Sequence, residues 1–391
     1  MKKLLALMLA LAMVFALAAC GGGNSAPAAE APADAAPAAA PDANPPAAGD
    51  MKVGVFWYAF SDSFLSTVRT ALNDELTAAG IDFQDYDGNN NQATQIEQVQ
   101  TAVTNGFNIL VVNLVNSGSA DAAQQIIQAA GNVPVIFFNR AIEGDGEEGT
   151  VLNANDNTAF IGTDAPEAGH IQGKMIGEFL VENYDAVDLN GDGVISYAMF
   201  MGDASNVEAI YRTQYGVEDA NAVLEAAGKP ALEYFNARNT DKYQLDPNGA
   251  WSSAAANEFM STNLAEYSEA NGNMIELVIA NNDGMATGAV EALGNAGYNL
   301  GDGASTKIPV FGVDATADAM DAIAADKMTG TVLQSNTAYA SGICAAIVNI
   351  ANGATPPEAV VAVADADEMY VMAEGFANKL FMHYAPVTEV E

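Results

Sequence analysis

Positive charge is scarce in this 391-residue chain: 13 Lys and Arg stand against 50 Asp and Glu, a formal net charge of −37 at pH 7. Nucleic acid is thereby excluded as a partner, because phosphate binding begins with a basic footprint. Histidine is nearly absent. The two present, His170 in "EAGHIQGKMIGEF" and His383 in "LFMHYAPV", have no Cys or carboxylate at metal-ligand spacing. No G-x-x-x-x-G-K-[ST] loop occurs, no G-x-G-x-x-G follows the first strand pattern, and there is no G-x-S-x-G elbow. Without a nucleophile–base pair in context, enzymatic chemistry is disfavoured. Only two cysteines occur, Cys20 and Cys344. Cys344 sits in the apolar helical pattern "SGICAAIVNI", as a small core residue would.

What is present begins with a routing signal. Lys2 and Lys3 precede the apolar run "LLALMLALAMVFAL", which ends in "LAAC" at Leu17 to Cys20. The run is too short for a comfortable membrane span. Small residues before a Cys resemble the lipobox of bacterial lipoproteins, which implies a signal peptide over 1–20, cleavage before Cys20 and acylation of its thiol. With that thiol lipidated, no disulfide is possible, so the fold rests on its core. Residues 21–50 hold six of the 14 prolines and no basic or aromatic side chain. Nothing there can offset chain entropy, so this stretch reads as a flexible tether.

From residue 52 the chain alternates. Strand patterns such as "KVGVFWY", "NILVVNLV" and "VPVIFFN" are separated by helical patterns of roughly 12–18 residues, the rhythm of βα units and a parallel sheet. It resumes near "FIGTD" and runs through "VISYAMFMGD", "ALEYFNAR", "IELVIANND", "IPVFGVDA" and "TGTVLQSN". About ten such units exceed one open sheet, so the pattern predicts an α/β protein of two doubly wound, Rossmann-like lobes. Ligands of such sheets bind beyond the carboxyl ends of the strands. The residues there are polar: Asp62, Asn139, Asn282, Asp314 and Gln334. Asn and Asp also form turns, but five at equivalent places point to a site.

A separate feature is "DLNGDGVISYAMF" (188–200). Asp188, Asn190 and Asp192 occupy positions 1, 3 and 5 of an EF-hand-like calcium loop, and Gly193 the sharp turn at position 6. Position 12, normally a bidentate Glu, is Met199.

With "VPVIFFN", "GTDAPEAGHIQGKMIGE", "DLNGDG", "IELVIANNDGMATGAVEALG", "IPVFGVDA" and "GTVLQ" in place, the chain resembles the galactose/glucose-binding proteins of ABC sugar transport, within the periplasmic binding protein type I fold. The resemblance runs from about residue 52 to the C-terminus. It implies a pyranose held between two aromatic rings, Phe64 and Trp251, with Asp62, Asn139, Arg212, Asn282 and Asp314 around its hydroxyl rim. Three positions depart from the family pattern: Asn206 stands for a usual His, Glu208 for an Asp and Gln334 for an Asn. These leave a polyol pocket but put the identity of the sugar in doubt. The resemblance also supplies the missing calcium anchor. The implied ligands are Asp188, Asn190, Asp192, the Val194 carbonyl, Ser196 and, from a distant strand, Glu276, an oxygen-only set suited to structural Ca²⁺.

The expected organisation is a first lobe of 52–162 plus 336–383 and a second of 163–335 plus 384–391, joined by a three-segment hinge near Gly162–Asp164, Leu333–Asn336 and His383–Val387. The expected protein is a monomeric, extracytoplasmic solute-binding lipoprotein anchored to the cell membrane at Cys20. It captures a monosaccharide and delivers it to an ABC permease. The alternatives are a sugar-sensing module for a chemoreceptor or histidine kinase, and a glycoside-acting enzyme using Asp62 or Glu208.

Overall fold

In the computed structural model, residues 51–144 and 146–390 are described; the signal segment, Cys20 and the Ala/Pro-rich tether lie outside them. The first sheet is built from β1 (Lys52–Trp57), β2 (Asp82–Asp87), β3 (Ile109–Val112), β4 (Val135–Phe138) and β5 (Thr158–Gly162). It is completed much later in the chain by β12 (Tyr370–Met372) and β13 (Lys379–Met382). The spatial order is β2-β1-β3-β4-β5-β13-β12, all parallel except the edge strand β12.

Helices cover both faces, so the strands are apolar on both. Val53, Val55, Trp57, Ile136 and Phe138 pack against α1 (Ser63–Ala78), α9 (Asn336–Ala351) and α10 (Pro356–Ala366). Phe56, Leu110, Val112 and Phe137 pack against α2 (Gln92–Thr104) and α3 (Ala120–Ala130). This double cover is why the strands read as continuous hydrophobic runs. Cys344, on α9, is buried and free.

The second sheet holds β6 (Ser196–Met201), β7 (Glu233–Tyr234), β8 (Gln244–Leu245), β9 (Leu277–Ala280) and β10 (Val310–Phe311). Its order is β10-β9-β6-β7, with β8 pairing further along the same edge of β6. The stretch "ALEYFNAR" thus supplies only two strand residues, because β7 and β8 divide one edge. β11 (Thr331–Leu333) extends the layer through the bridges Phe311–Gly330 and Asp314–Leu333, and pairs antiparallel with β14 (Ala385–Val387). Helices α4 (Ala165–Val187) and α5 (Val207–Ala226) cover one face. α6 (Ser253–Glu266), α7 (Asp283–Asn295) and α8 (Ala317–Ala324) cover the other.

Helices α4 and α5 approach unusually closely. Gly169, Gly173 and Gly177 form a stripe along α4, and a Cβ at Gly173 would lie 2.3 Å from the Tyr215 carbonyl oxygen on α5. The chain passes between the sheets three times, from β5 to α4, from β11 to α9 and from β13 to β14. Among the described residues no helix is long and apolar enough to cross a membrane.

Candidate functional site

The strand ends of both sheets meet at one place, and the helix starts that follow them shape it. Three site residues are N-caps, a position that fixes a short polar side chain against the first free N–H groups of a helix. Asp62 caps α1: one carboxylate oxygen accepts from the Leu65 N–H at 2.8 Å and the other from the Tyr58 hydroxyl at 2.7 Å. Asn282 caps α7 through the Met285 N–H at 2.9 Å, while its Nδ2 donates to the Trp251 carbonyl at 3.4 Å. Asn206 caps α5, its Oδ1 accepting from the N–H groups of Glu208 and Ala209.

Three others have positive φ: Asn139 at 60°, Trp251 at 55° and Asp314 at 122°. Left-handed backbone is costly for a bulky side chain, and such strain concentrates at functional sites. The Trp251 ring lies directly over Gly202, where a Cβ would fall 2.1 Å from the indole. Only glycine leaves that space.

Arg212 is the charged centre. It is 3% exposed. It donates to Glu208 Oε2 at 3.0 Å, to the Asn281 carbonyl at 3.0 Å and to the Tyr384 hydroxyl at 2.9 Å, and lies 3.9 Å from Asp314. Burial opposes its charge, but Tyr384, Glu208 and Asp314 together hold its pKa above the ordinary arginine value. Its Nε, also buried, has no hydrogen-bond partner among the described residues. Burial pushes the Glu208 carboxyl up; Arg212, with hydrogen bonds from Thr163 and Tyr384, works the other way. Asp314 is raised well above the usual carboxylate value by burial, against the pull of Arg212 and with the push of Asp283. Asp283 itself is raised to about 7 by burial. It anchors the Asp314 loop by accepting from Thr331 Oγ1 at 2.6 Å and the Thr316 N–H at 2.7 Å.

A cavity of about 40 Å³ is lined by Tyr58, Asp62, Phe64, Leu65, Asn139 and Arg140 from the first lobe, by Glu208, Arg212, Trp251, Asn282 and Asp314 from the second, and by Gln334 at a crossing. Nine of the ten residues singled out from the sequence are brought together there. Asn206 is not: its carboxamide oxygen is spent on the α5 N-terminus, which sets the position of Glu208. Gln334 donates to the Tyr339 hydroxyl at 3.1 Å, and Asn139 shares that hydroxyl at 3.4 Å. Tyr58 and Arg140 were missed. Each adjoins a recognisable position, but its role depends on the opposite lobe or on a neighbouring loop. Arg140 stacks on the Tyr58 ring at 4.1 Å and reaches across to Asp203 at 3.0 Å. Asn90 bonds the Asn248 carbonyl at 3.0 Å in the same direction. The lobes are therefore closed on each other.

The acidic loop lies apart from this cavity. Asp188 accepts from the Gly191 and Gly193 N–H groups, Asn190 from Asp192 and Asp192 from Val194. Glu276 reaches the loop from the start of β9: its oxygens accept from the N–H groups of Asn190 at 3.0 Å and Ser196 at 2.9 Å. The Ser196 hydroxyl donates to the Met274 carbonyl. Among the described residues no three His, Cys, Asp or Glu side chains converge as a metal cluster. The donors nevertheless suit a hard cation in kind. Glu276 is fully buried and has no Lys, Arg or His partner among the described residues, and burial, with Asp188 nearby, raises its pKa.

The sequence profile of the periplasmic binding protein domain matches residues 53–355. The chain belongs to that family. The D-galactose/methyl-galactoside binding periplasmic protein of Haemophilus influenzae is 32% identical to this periplasmic binding protein over 315 residues, covering 80% of this chain and 85% of the relative. A putative rhizopine-binding protein of Rhizobium meliloti is 25% identical over 308 residues, 78% of this chain and 86% of the other. Among solved structures, an ABC transporter solute-binding protein from Bacillus halodurans with bound myo-inositol superposes with a TM-score of 0.62 at 23% identity, covering 87% of this chain and 95% of that one. The two-lobe type I fold is thus established. In this binding protein the two acids considered for glycoside chemistry, Asp62 and Glu208, have both oxygens engaged by neighbouring groups.

Proposed function

We propose that the protein is an extracytoplasmic solute-binding lipoprotein, anchored at Cys20, that captures a monosaccharide between its lobes and hands it to an ABC permease. Glucose and galactose are the first choices. The observation that carries this reading is that Phe64 from one lobe and Trp251 from the other line one cavity together with carboxylates, carboxamides and two guanidinium groups, those of Arg140 and Arg212. A pyranose has C–H-rich faces that lie on aromatic rings and a hydroxyl rim that needs paired donors and acceptors. Each unpaired buried polar group costs about 1–3 kcal/mol, so such a rim is selective. The Nε of Arg212 is a buried donor lacking a partner among the described residues, which a hydroxyl oxygen would supply. The galactose in the Haemophilus relative's name and the myo-inositol of the Bacillus structure are both polyhydroxylated rings, which supports the class. A ligand touching both lobes favours the closed form, the form a permease would read. Calorimetry against a panel of hexoses and pentoses tests this. Saturable one-site binding of at least one of them is expected, and binding of none refutes the proposal. Cys20→Ala should release the protein from membranes.

We further propose that Asp188, Asn190, Asp192, the Val194 carbonyl, Ser196 and Glu276 would hold a structural Ca²⁺. The ion would neutralise the buried Glu276 and tie the loop after α4 to β9. Thermal unfolding in calcium and in chelator checks it. The wild type should gain stability from calcium and Glu276→Gln should lose that gain; an equal response of both refutes the assignment.

A further inference from the structure

Tyr384 is 5% exposed and is not one of the described residues that line the central cavity. It stands at the third crossing, between β13 and β14. Its hydroxyl nevertheless meets both charged residues that α5 brings to the cavity. The oxygen accepts from Arg212 Nη2 at 2.9 Å, and the single proton faces Glu208 Oε2 at 3.0 Å and Thr163 Oγ1 at 3.0 Å. Burial pushes the phenol up, so the hydroxyl keeps that proton.

The guanidinium of Arg212 is a rigid plane carrying five N–H donors. Nη1 donates to the Asn281 carbonyl, and Nη2 to Glu208 and Tyr384. Its Cζ lies 5.7 Å from the centroid of the Tyr384 ring and 5.8 Å from that of Trp251. These contacts set the tilt of the plane, and so decide where its remaining donors point. Nε is one of them, with no partner among the described residues. Without the Tyr384 hydroxyl, Nη2 keeps one of its two acceptors and the plane is free to turn. Glu208 leans on the hinge in the same way. Its Oε1 accepts from Thr163 Oγ1 at 2.8 Å, and Thr163 belongs to the first crossing. The second crossing supplies Gln334, which lines the cavity itself.

We propose that Tyr384 is a positioning residue for sugar binding: from the third crossing, its hydroxyl aims the Arg212–Glu208 pair at one hydroxyl of the ligand. The inference rests on the sugar-binding reading above. Calorimetry on the full protein compares the hexoses and pentoses of that panel, glucose and galactose first, with their monodeoxy analogues. Tyr384→Phe keeps the ring and removes the hydroxyl. It should weaken the parent sugar about tenfold, and equally every analogue that retains the hydroxyl held by the pair. The analogue lacking that hydroxyl should stay within about twofold of wild type, because it gives the pair nothing to hold. Thr163→Val strips the other crossing hydroxyl from Glu208. It should lose discrimination at the same ring position, and it decides the matter if Tyr384→Phe does not fold. Binding of every sugar within about twofold of wild type overturns the role, and so does a weakening of all of them by one common factor, the mark of general structural damage. If the wild type binds no sugar of the panel, the role falls together with the reading beneath it.

Discussion

Arg212→Met removes the one guanidinium held among Glu208, Asp314 and the Tyr384 hydroxyl. Both carboxylates are almost fully buried, at 6% and 5% exposure, so the variant strands charge in a low-dielectric site. Breaking a buried pair by deleting one partner costs about 3–5 kcal/mol. An unfolding entropy of about 2 cal/mol/K per residue over roughly 340 residues gives about 0.7 kcal/mol/K, so the melting temperature should drop by about 4–7 °C. The pH dependence has a definite sign. The folded-state pKa values of Glu208 and Asp314 are raised. Between the unfolded value of about 4 and the folded value, the native state binds more protons than the unfolded chain, so stability falls as pH rises through that window. Arg212 opposes this rise. Without it the pKa values climb further and the window widens upward. The deficit of the variant should therefore be deeper at pH 7.5 than at pH 5. Scanning calorimetry of ligand-free protein at both pH values measures it, and Glu208→Gln in the Arg212→Met background should recover part of the loss. A melting temperature within about 1 °C of wild type at pH 7.5, or a deficit equal at both pH values, refutes the electrostatic account.

Asp203→Ala removes the cross-lobe partner of Arg140, a contact made only when the lobes are closed. Sugar release in stopped flow should quicken about five- to thirtyfold, corresponding to roughly 1–2 kcal/mol, with association little changed; an unaltered release rate contradicts it. Trp251→Ala deletes one aromatic wall and should weaken sugar binding at least about tenfold by calorimetry. The chain has two tryptophans, so any sugar-dependent fluorescence change should vanish with Trp251 while Trp57 emission persists. Gly173→Ala drives a methyl to 2.3 Å from the Tyr215 carbonyl oxygen, and separating α4 from α5 should cost about 1–3 kcal/mol in denaturant unfolding.

Much of the fold was legible because its signals are local. Strands covered on both faces read as apolar runs, and the polar residues closing them, Asp62 and Asn282 among them, mark helix starts. The same local chemistry explains the site's partial legibility: a residue that caps a helix beyond a strand is already at the ligand edge. Asn206 shows where this fails, since its capping duty uses the oxygen that a ligand would have needed. Arg140 and Tyr384 carried no signal of their own. Their roles come from partners 63 positions along the chain, as for Arg140 with Asp203, or 172, as for Tyr384 with Arg212. The two-residue strands β7 and β8 were illegible for a related reason, because their length is set by how they share one edge of β6.

The late return of the chain to the first sheet has a consequence for how the protein is made. Strand β5 gains its outer neighbour, β13, only from residues 379–382, and α9 and α10 cover a face formed by segments more than 170 residues earlier. As the chain emerges, residues 51–162 hold most of a sheet with one face covered only by α1 and one edge open. That half-built layer must wait for the whole second lobe to be threaded through before it can close. Long-range pairing of this kind slows folding and prolongs exposure of sticky surface. Cutting the chain between the second crossing and the end of β13 would therefore damage the lobe synthesised first.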